Sequence, residues 1–262
     1  MCSQRNLAIL IKERGANSPV TALGLVGLSR ILNEQGRSKD AESLARTAMS
    51  IYEKGNTLKS SMAYGKSQET LVTTLIVQNK YQEAYTLSQN QYKAISAIPG
   101  AVESTVVATN IHSAVAALMV GDLDKAEIPL TKRLKHFEKL YGDDHYQTAE
   151  ALALLSMIRS RRGALEEAEL GFRKALPIIS GGANEEAYSL KSYKHRQQII
   201  LEGYFELVVK RETKLDATKR TSLLAESVSA VQSVHHTSVQ KALLSNAART
   251  SSRNPELASA LR

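Results

Sequence analysis

Apolar residues recur along this chain in short stripes at spacings of three and four, interrupted by polar breaks centred on glycine. Leu25, Leu28 and Leu32 form one stripe. Ala41, Leu44, Ala45 and Ala48 form the next, beyond a break at Gly36. Such spacing puts side chains on one face of an α-helix and predicts a helix on each side of the break. The breaks are periodic. Gly36, Asn79, Gly121 and Gly163 are separated by 43, 42 and 42 residues, and an alanine follows each five positions later, at Ala41, Ala84, Ala126 and Ala168. A second series, Gly15, Gly100 and Gly142, stands 21 residues ahead of Gly36, Gly121 and Gly163. Each repeat is therefore two helices with a break between them. Glycine suits the left-handed residue that ends a helix because it has no Cβ to clash, and asparagine is the next most tolerant. The alanines mark where two helices cross closely, since close approach requires short side chains.

One such pair cannot bury its own apolar faces, so stability is expected from stacking against neighbours. Residues 6–14 read as the second helix of a pair whose first helix does not precede it, in register with the rest. Leu7, Ile9, Leu10 and Ile11 would then form an unguarded apolar face, expected of a fragment, a shortened gene product or a face covered by a partner. After Gly181-Gly182 the pattern changes. A long helix is predicted over 185–211, carrying Ile199, Ile200, Tyr204, Leu207 and Val208. The domain reading is a repeat array over 1–180, a leading half repeat plus four units, and a helical C-terminal extension over 181–262.

The Gly-x4-Ala spacing, with large apolar residues four and eight positions before the glycine, resembles the tetratricopeptide signature. The 42-residue period and the stretch 141–176, which opens YGDDHYQTAEALALL, look like its kinesin-light-chain subtype. The resemblance covers 7–179 and implies an all-α fold: a right-handed superhelical solenoid of antiparallel helix pairs. The tail resembles the helical segment that joins such repeats to a CHAT domain, the caspase-like peptidase of bacterial TPR–CHAT proteins. The residues carrying it are 238–243 (SVQKAL), Ala247-Ala248-Arg249, and 254–258 (NPELA). That likeness implies three roles for the array: holding a CHAT peptidase inactive, presenting its substrate, or docking it on a sensor such as an RNA-guided CRISPR effector.

Composition narrows the chemistry. A caspase-like peptidase needs a histidine base followed later in the chain by a cysteine nucleophile. The single cysteine, Cys2, precedes all six histidines, so catalysis by this chain is not expected. His235-His236 are adjacent and would point about 100° apart on a helix, which disfavours joint metal binding. No metal site is expected. Neither a GxxxxGK[ST] phosphate loop nor a strand-led GxGxxG occurs, and no cofactor is expected. Asp143 or Asp144 is expected to cap the helix that follows. Tyrosines number ten against three phenylalanines and no tryptophan, and Tyr52, Tyr81, Tyr85 and Tyr141 fall at expected packing positions. The net charge is +8, with twelve Lys/Arg against six Asp/Glu from Lys191 onward, spread among helix positions. Solvated helix faces account for it more simply than direct nucleic-acid binding. No run reaches the ~20 apolar residues of a membrane span, and the start is charged too early for a secretory signal. A cytoplasmic protein is expected.

What remains is the concave groove that the first helices of the pairs would line. Counting from each turn assigns Arg30, Asn33, Lys66, Thr73, Asn110, His112, Met157 and Ser160 to it. A groove of mixed polar and apolar character suits an extended peptide or a helix. The expectation is a protein–protein interaction module, the regulatory or substrate-recruiting part of a TPR–CHAT peptidase system. The alternatives are a free-standing adaptor holding a peptide or helix and, last, a nucleic-acid-binding helical repeat.

Overall fold

The computed structural model describes residues 2–58, 61–97, 110–181 and 190–212. All regular elements among them are helices: α1 (Cys2–Arg14), α2 (Pro19–Glu34), α3 (Ser38–Lys54), α4 (Met62–Val77), α5 (Tyr81–Ser96), α6 (Ile111–Val120), α7 (Leu123–Tyr141), α8 (Tyr146–Arg161), α9 (Leu165–Gly181) and α10 (Lys191–Glu212). The fold is an all-α helical repeat. Its pairs are α2/α3, α4/α5, α6/α7 and α8/α9, and α1 precedes them. Two compact units divide the described residues. The first lies in Met1–Gly142 and Glu186–Ile199, the second in Asp143–Glu185 and Ile200–Arg262. Helix α10 thus contributes its first turns to one unit and the remainder to the other.

The turns inside the pairs are built alike. Gly36, Asn79, Gly121 and Gly163 have φ of 82°, 61°, 89° and 89°, the left-handed region where a Cβ is costly. The next residue returns its N–H to a carbonyl five positions back: Arg37 to Leu32, Lys80 to Leu75, Asp122 to Ala117 and Ala164 to Arg159, all at 2.9–3.0 Å. That bond satisfies a carbonyl which the end of the helix would otherwise leave orphaned. Gly15 and Gly142 are also left-handed, as their place in the second glycine series requires, whereas Gly100 lies outside the described residues. Ala41, Ala84, Ala126 and Ala168 have no exposed surface, as the close helix crossing demands. First helices start on side-chain caps, Ser18 for α2 (followed by Pro19), Ser61 for α4 and Asn110 for α6. Helix α8 departs from expectation. Its cap is His145, whose Nδ1 accepts from the Gln147 N–H at 3.3 Å, and not Asp143 or Asp144.

The first three pairs interlock through the same two repeat positions. The residue six places after one turn's left-handed residue meets the residue one place after the next. Glu42 accepts from Lys80 Nζ at 2.7 Å and from Gln78 Nε2 at 2.8 Å, and it also binds Arg46 on its own helix. One repeat later, the Tyr85 hydroxyl donates to Asp122 and accepts from Lys125 Nζ at 2.9 Å. On α2 the matching repeat position is exposed. Ile31 of α2 is 42% exposed, while its repeat equivalents Thr74, Ala116 and Ile158 are fully buried. Ile9 and Ile11 of α1 are exposed too.

The tyrosines divide. Tyr52 is buried, with its hydroxyl 3.3 Å from the Pro19 carbonyl, and Tyr81 and Tyr85 are half-buried. Tyr141 is exposed, a departure from its expected packing role, and stacks on Phe137 at 5.7 Å between ring centroids. The long C-terminal helix is present over α10, and Ile199, Ile200, Tyr204, Leu207 and Val208 are all buried.

Burial of Glu42 opposes its charge, but hydrogen bonds from Lys80, Arg46 and Gln78 outweigh that and hold its carboxyl down to about 2, against an ordinary value of 4.5. A depressed pKa contributes stability that is present above 4.5 and lost as pH falls toward 2. Glu42→Gln is expected to lower unfolding free energy by about 1–2 kcal/mol at neutral pH. The variant should also flatten the acid limb between pH 4.5 and 2, as urea denaturation at stepped pH would show.

Candidate functional site

The first-helix face of the first compact unit is formed by α2, α4 and α6. Arg30 on α2 and Lys66 on α4 are exposed there. Both act on Glu69, whose carboxyl is raised by local burial although much of its surface meets solvent, while the two cations pull it back down. Thr73, half-buried, turns its hydroxyl onto its own helix and donates to the Glu69 carbonyl at 2.8 Å. Asn110 serves the backbone, since its Oδ1 accepts from the Ser113 N–H at 3.0 Å and so starts α6. Asn33 is buried, and its Oδ1 has no hydrogen-bond partner among the described residues.

His112 keeps a partly exposed surface, but its surroundings are dense and positive. Burial first, then the guanidiniums of Arg196, Arg133 and Arg30, push its imidazole down to about 3. It is therefore a neutral ring at physiological pH, set among three arginines drawn from α10, α7 and α2. Arg30 thus acts on both Glu69 and His112, and Lys66 on Glu69.

Part of this face already has an occupant. The N–H and hydroxyl of Ser192, in the first turn of α10, donate to the two carboxylate oxygens of Glu34 at 3.1 and 2.7 Å. Beside the face, His195 Nε2 stands 3.5 Å from the hydroxyl of Tyr81, the first residue of the second helix α5, and Arg196 is buried with its guanidinium 4.4 Å from the centroid of the Tyr193 ring. Glu34, Tyr81, Ser192, His195 and Arg196 were not expected at the site. The signal available for them was the spacing of Ser192, Arg196 and Ile199 at i, i+4 and i+7, which reads as a mostly polar stripe and so does not resemble a packing face.

Met157 and Ser160 belong to the second compact unit, and both are buried. A Cβ placed on Gly203 of α10 would come within 2.5 Å of Met157 Cγ, so that glycine is what lets the helix approach. Lys210 Nζ donates to the Ser160 carbonyl at 3.3 Å. Arg211 binds Glu169 at 2.9 Å and also Glu166, while Phe172 meets Tyr204 at 5.3 Å between centroids. Glu169 sits six places after Gly163, the same repeat position as Glu42 and Tyr85.

The repeat register, the four turns built alike and the interlocks that join the first three pairs define a helical repeat of one recognisable kind. Residues 105–180 match the family model described as tetratricopeptide repeat. This stretch is a tetratricopeptide-repeat region. No curated protein matches the chain. The tail residues that resemble a CHAT lead-in lie outside the described residues, as do His235 and His236. Among the described residues, no group of three or more His, Cys, Asp or Glu could hold a metal ion, and no helix is long and apolar enough to cross a membrane.

A lowered histidine pKa has a definite sign. The unfolded chain takes up a proton near pH 6.5 that folded His112 refuses until about 3, so stability is lost as pH falls through that window. His112→Gln is expected to lose less stability than the parent between pH 6.5 and 3, with a gap of roughly 2–3 kcal/mol at the acid end. Thermal melts at stepped pH measure it; parallel curves for the two proteins would contradict the assignment.

Proposed function

We propose that this chain is a protein-binding module with no catalysis of its own, and that the first-helix face carrying Arg30, Lys66, Thr73 and His112 receives a peptide or helix from a partner. Tetratricopeptide repeats generally mediate protein–protein interaction. The observation that carries the reading is the continuity of the repeat beyond the matched stretch. The turn at Gly36 and the interlock at Glu42 repeat the construction found at Gly121 and Asp122. The array therefore extends over 1–180 in this reading, with 181–262 as a helical extension, and two exposed cations on α2 and α4 stand ready for an acidic or polar partner.

A finer assignment follows from the tail. Its likeness to the segment that leads into a CHAT domain supports a regulatory or substrate-recruiting role in a bacterial, cytoplasmic TPR–CHAT peptidase system. The partner would then be the peptidase domain, its substrate or the effector that senses the trigger. Reading the parent gene beyond the codon for Arg262 tests this directly. A frame that continues into a domain with a histidine followed by a cysteine, or a neighbouring gene encoding one, is the expected result.

The broader reading is tested on the full chain, tagged in its host, with partners identified by mass spectrometry and then titrated as purified proteins. Arg30→Glu/Lys66→Glu is expected to weaken the partner at least tenfold. Because both side chains are exposed, stability should stay within about 0.5 kcal/mol of the parent. A partner whose affinity is unchanged by the double variant would place the binding surface elsewhere.

A further inference from the structure

Helix α10 is docked in two chemically different ways. In the second compact unit it buries Ile200, Gly203, Tyr204, Leu207 and Val208, an almost wholly apolar stripe, and ends on the Arg211 pairs with Glu166 and Glu169. In the first it buries only Ser192, Arg196 and Ile199. Two of those three are polar, and the bonds at Glu34 and Tyr81 are ones that water can take over, at a modest net cost each that is larger at the charged Glu34. Apolar burial has no such substitute. The first turns are therefore the half that lets go while the second half stays anchored, and local opening of this kind occurs well below the cost of global unfolding.

The contact at Glu34 is also a recognition chemistry. The N–H groups in the first turn of a helix have no partner within it, and Glu34 supplies one from another helix, taking both the N–H and the hydroxyl of Ser192. A carboxylate at a helix N-terminus is further favoured by the helix dipole. From this we infer that residues 191–199 are a resident ligand of the first-helix face, and that partner helices beginning with a hydroxyl residue, followed by arginine four and an aliphatic residue seven places later, compete with them for it. The inference rests on the reading of that face as a binding surface and names the partner's chemistry and its regulation: α10 must lift before a partner enters.

Ser192→Asp sets a second carboxylate against Glu34 and should open the arm without touching the apolar half. Amide hydrogen exchange across 193–199 is expected to speed up at least tenfold, with protection at 203–208 retained. A fluorescent peptide spanning 190–201 should then bind the variant at least tenfold more tightly than the parent. The same peptide with Ser192 and Arg196 replaced by alanine should lose that binding. Should Ser192→Asp disturb folding, Ser192→Ala/His195→Ala removes the two side-chain hydrogen bonds without adding charge and leaves only the backbone N–H of residue 192 on Glu34. Unchanged exchange in a folded variant, or an opened arm whose face binds the peptide no better than the parent, overturns the inference. Those results leave the Arg30/Lys66-dependent partner untouched. Conversely, peptide binding to the opened face with no protein partner found would sink the functional reading alone.

Discussion

Everything in this fold hangs on how closely two helices can approach at the four alanines that follow the turns. Ala41, Ala84, Ala126 and Ala168 expose no surface at all, and a larger side chain there would push the second helix of a pair off the first. The left-handed residue five places earlier sets the angle at which the second helix departs, and the bond from the following N–H fixes it. Spacing and angle together decide which residues end up on the first-helix face. The placement of Arg30, Lys66 and His112 is thus a consequence of turn geometry.

This explains what could and could not be seen in the sequence. The turn residues were legible because backbone sterics restrict left-handed φ to glycine and, at 79, asparagine. Buried alanines were legible because the crossing recurs at a fixed offset. The cap of α8 was not, since a histidine ring nitrogen can accept an N–H as a carboxylate does and Asp143-Asp144 stood beside it. The candidate site was half legible. Arg30 and Lys66 are exposed where counting puts them, yet Asn33, Met157 and Ser160 are buried, because α10 and the stacked pairs cover surfaces that a single repeat would leave open. Long-range docking of this sort leaves no periodic trace. Ser192 and Glu34 are 158 residues apart, and nothing local in either segment announces the other.

Helix α10 also shows how one element can do two jobs through composition alone. Its apolar turns close the second compact unit, where Gly203 opens room for Met157 and Arg211 takes up Glu169. Its polar turns rest on the first. The neutral ring of His112, among three guanidiniums, belongs to that second kind of surface, packed but not greasy.

The interlocks between pairs have a different consequence. Glu42 meets Lys80 and Gln78 at one seam, and Tyr85 meets Asp122 and Lys125 at the next, at the same repeat positions but with unlike chemistry. Each seam is keyed. Deleting the second pair would present the Glu42 carboxylate to Asp122, like charge to like charge, so the shared backbone plan does not make the repeats interchangeable. Their order is written into the side chains, and the array can lengthen or shorten only where a new seam is re-cut to fit.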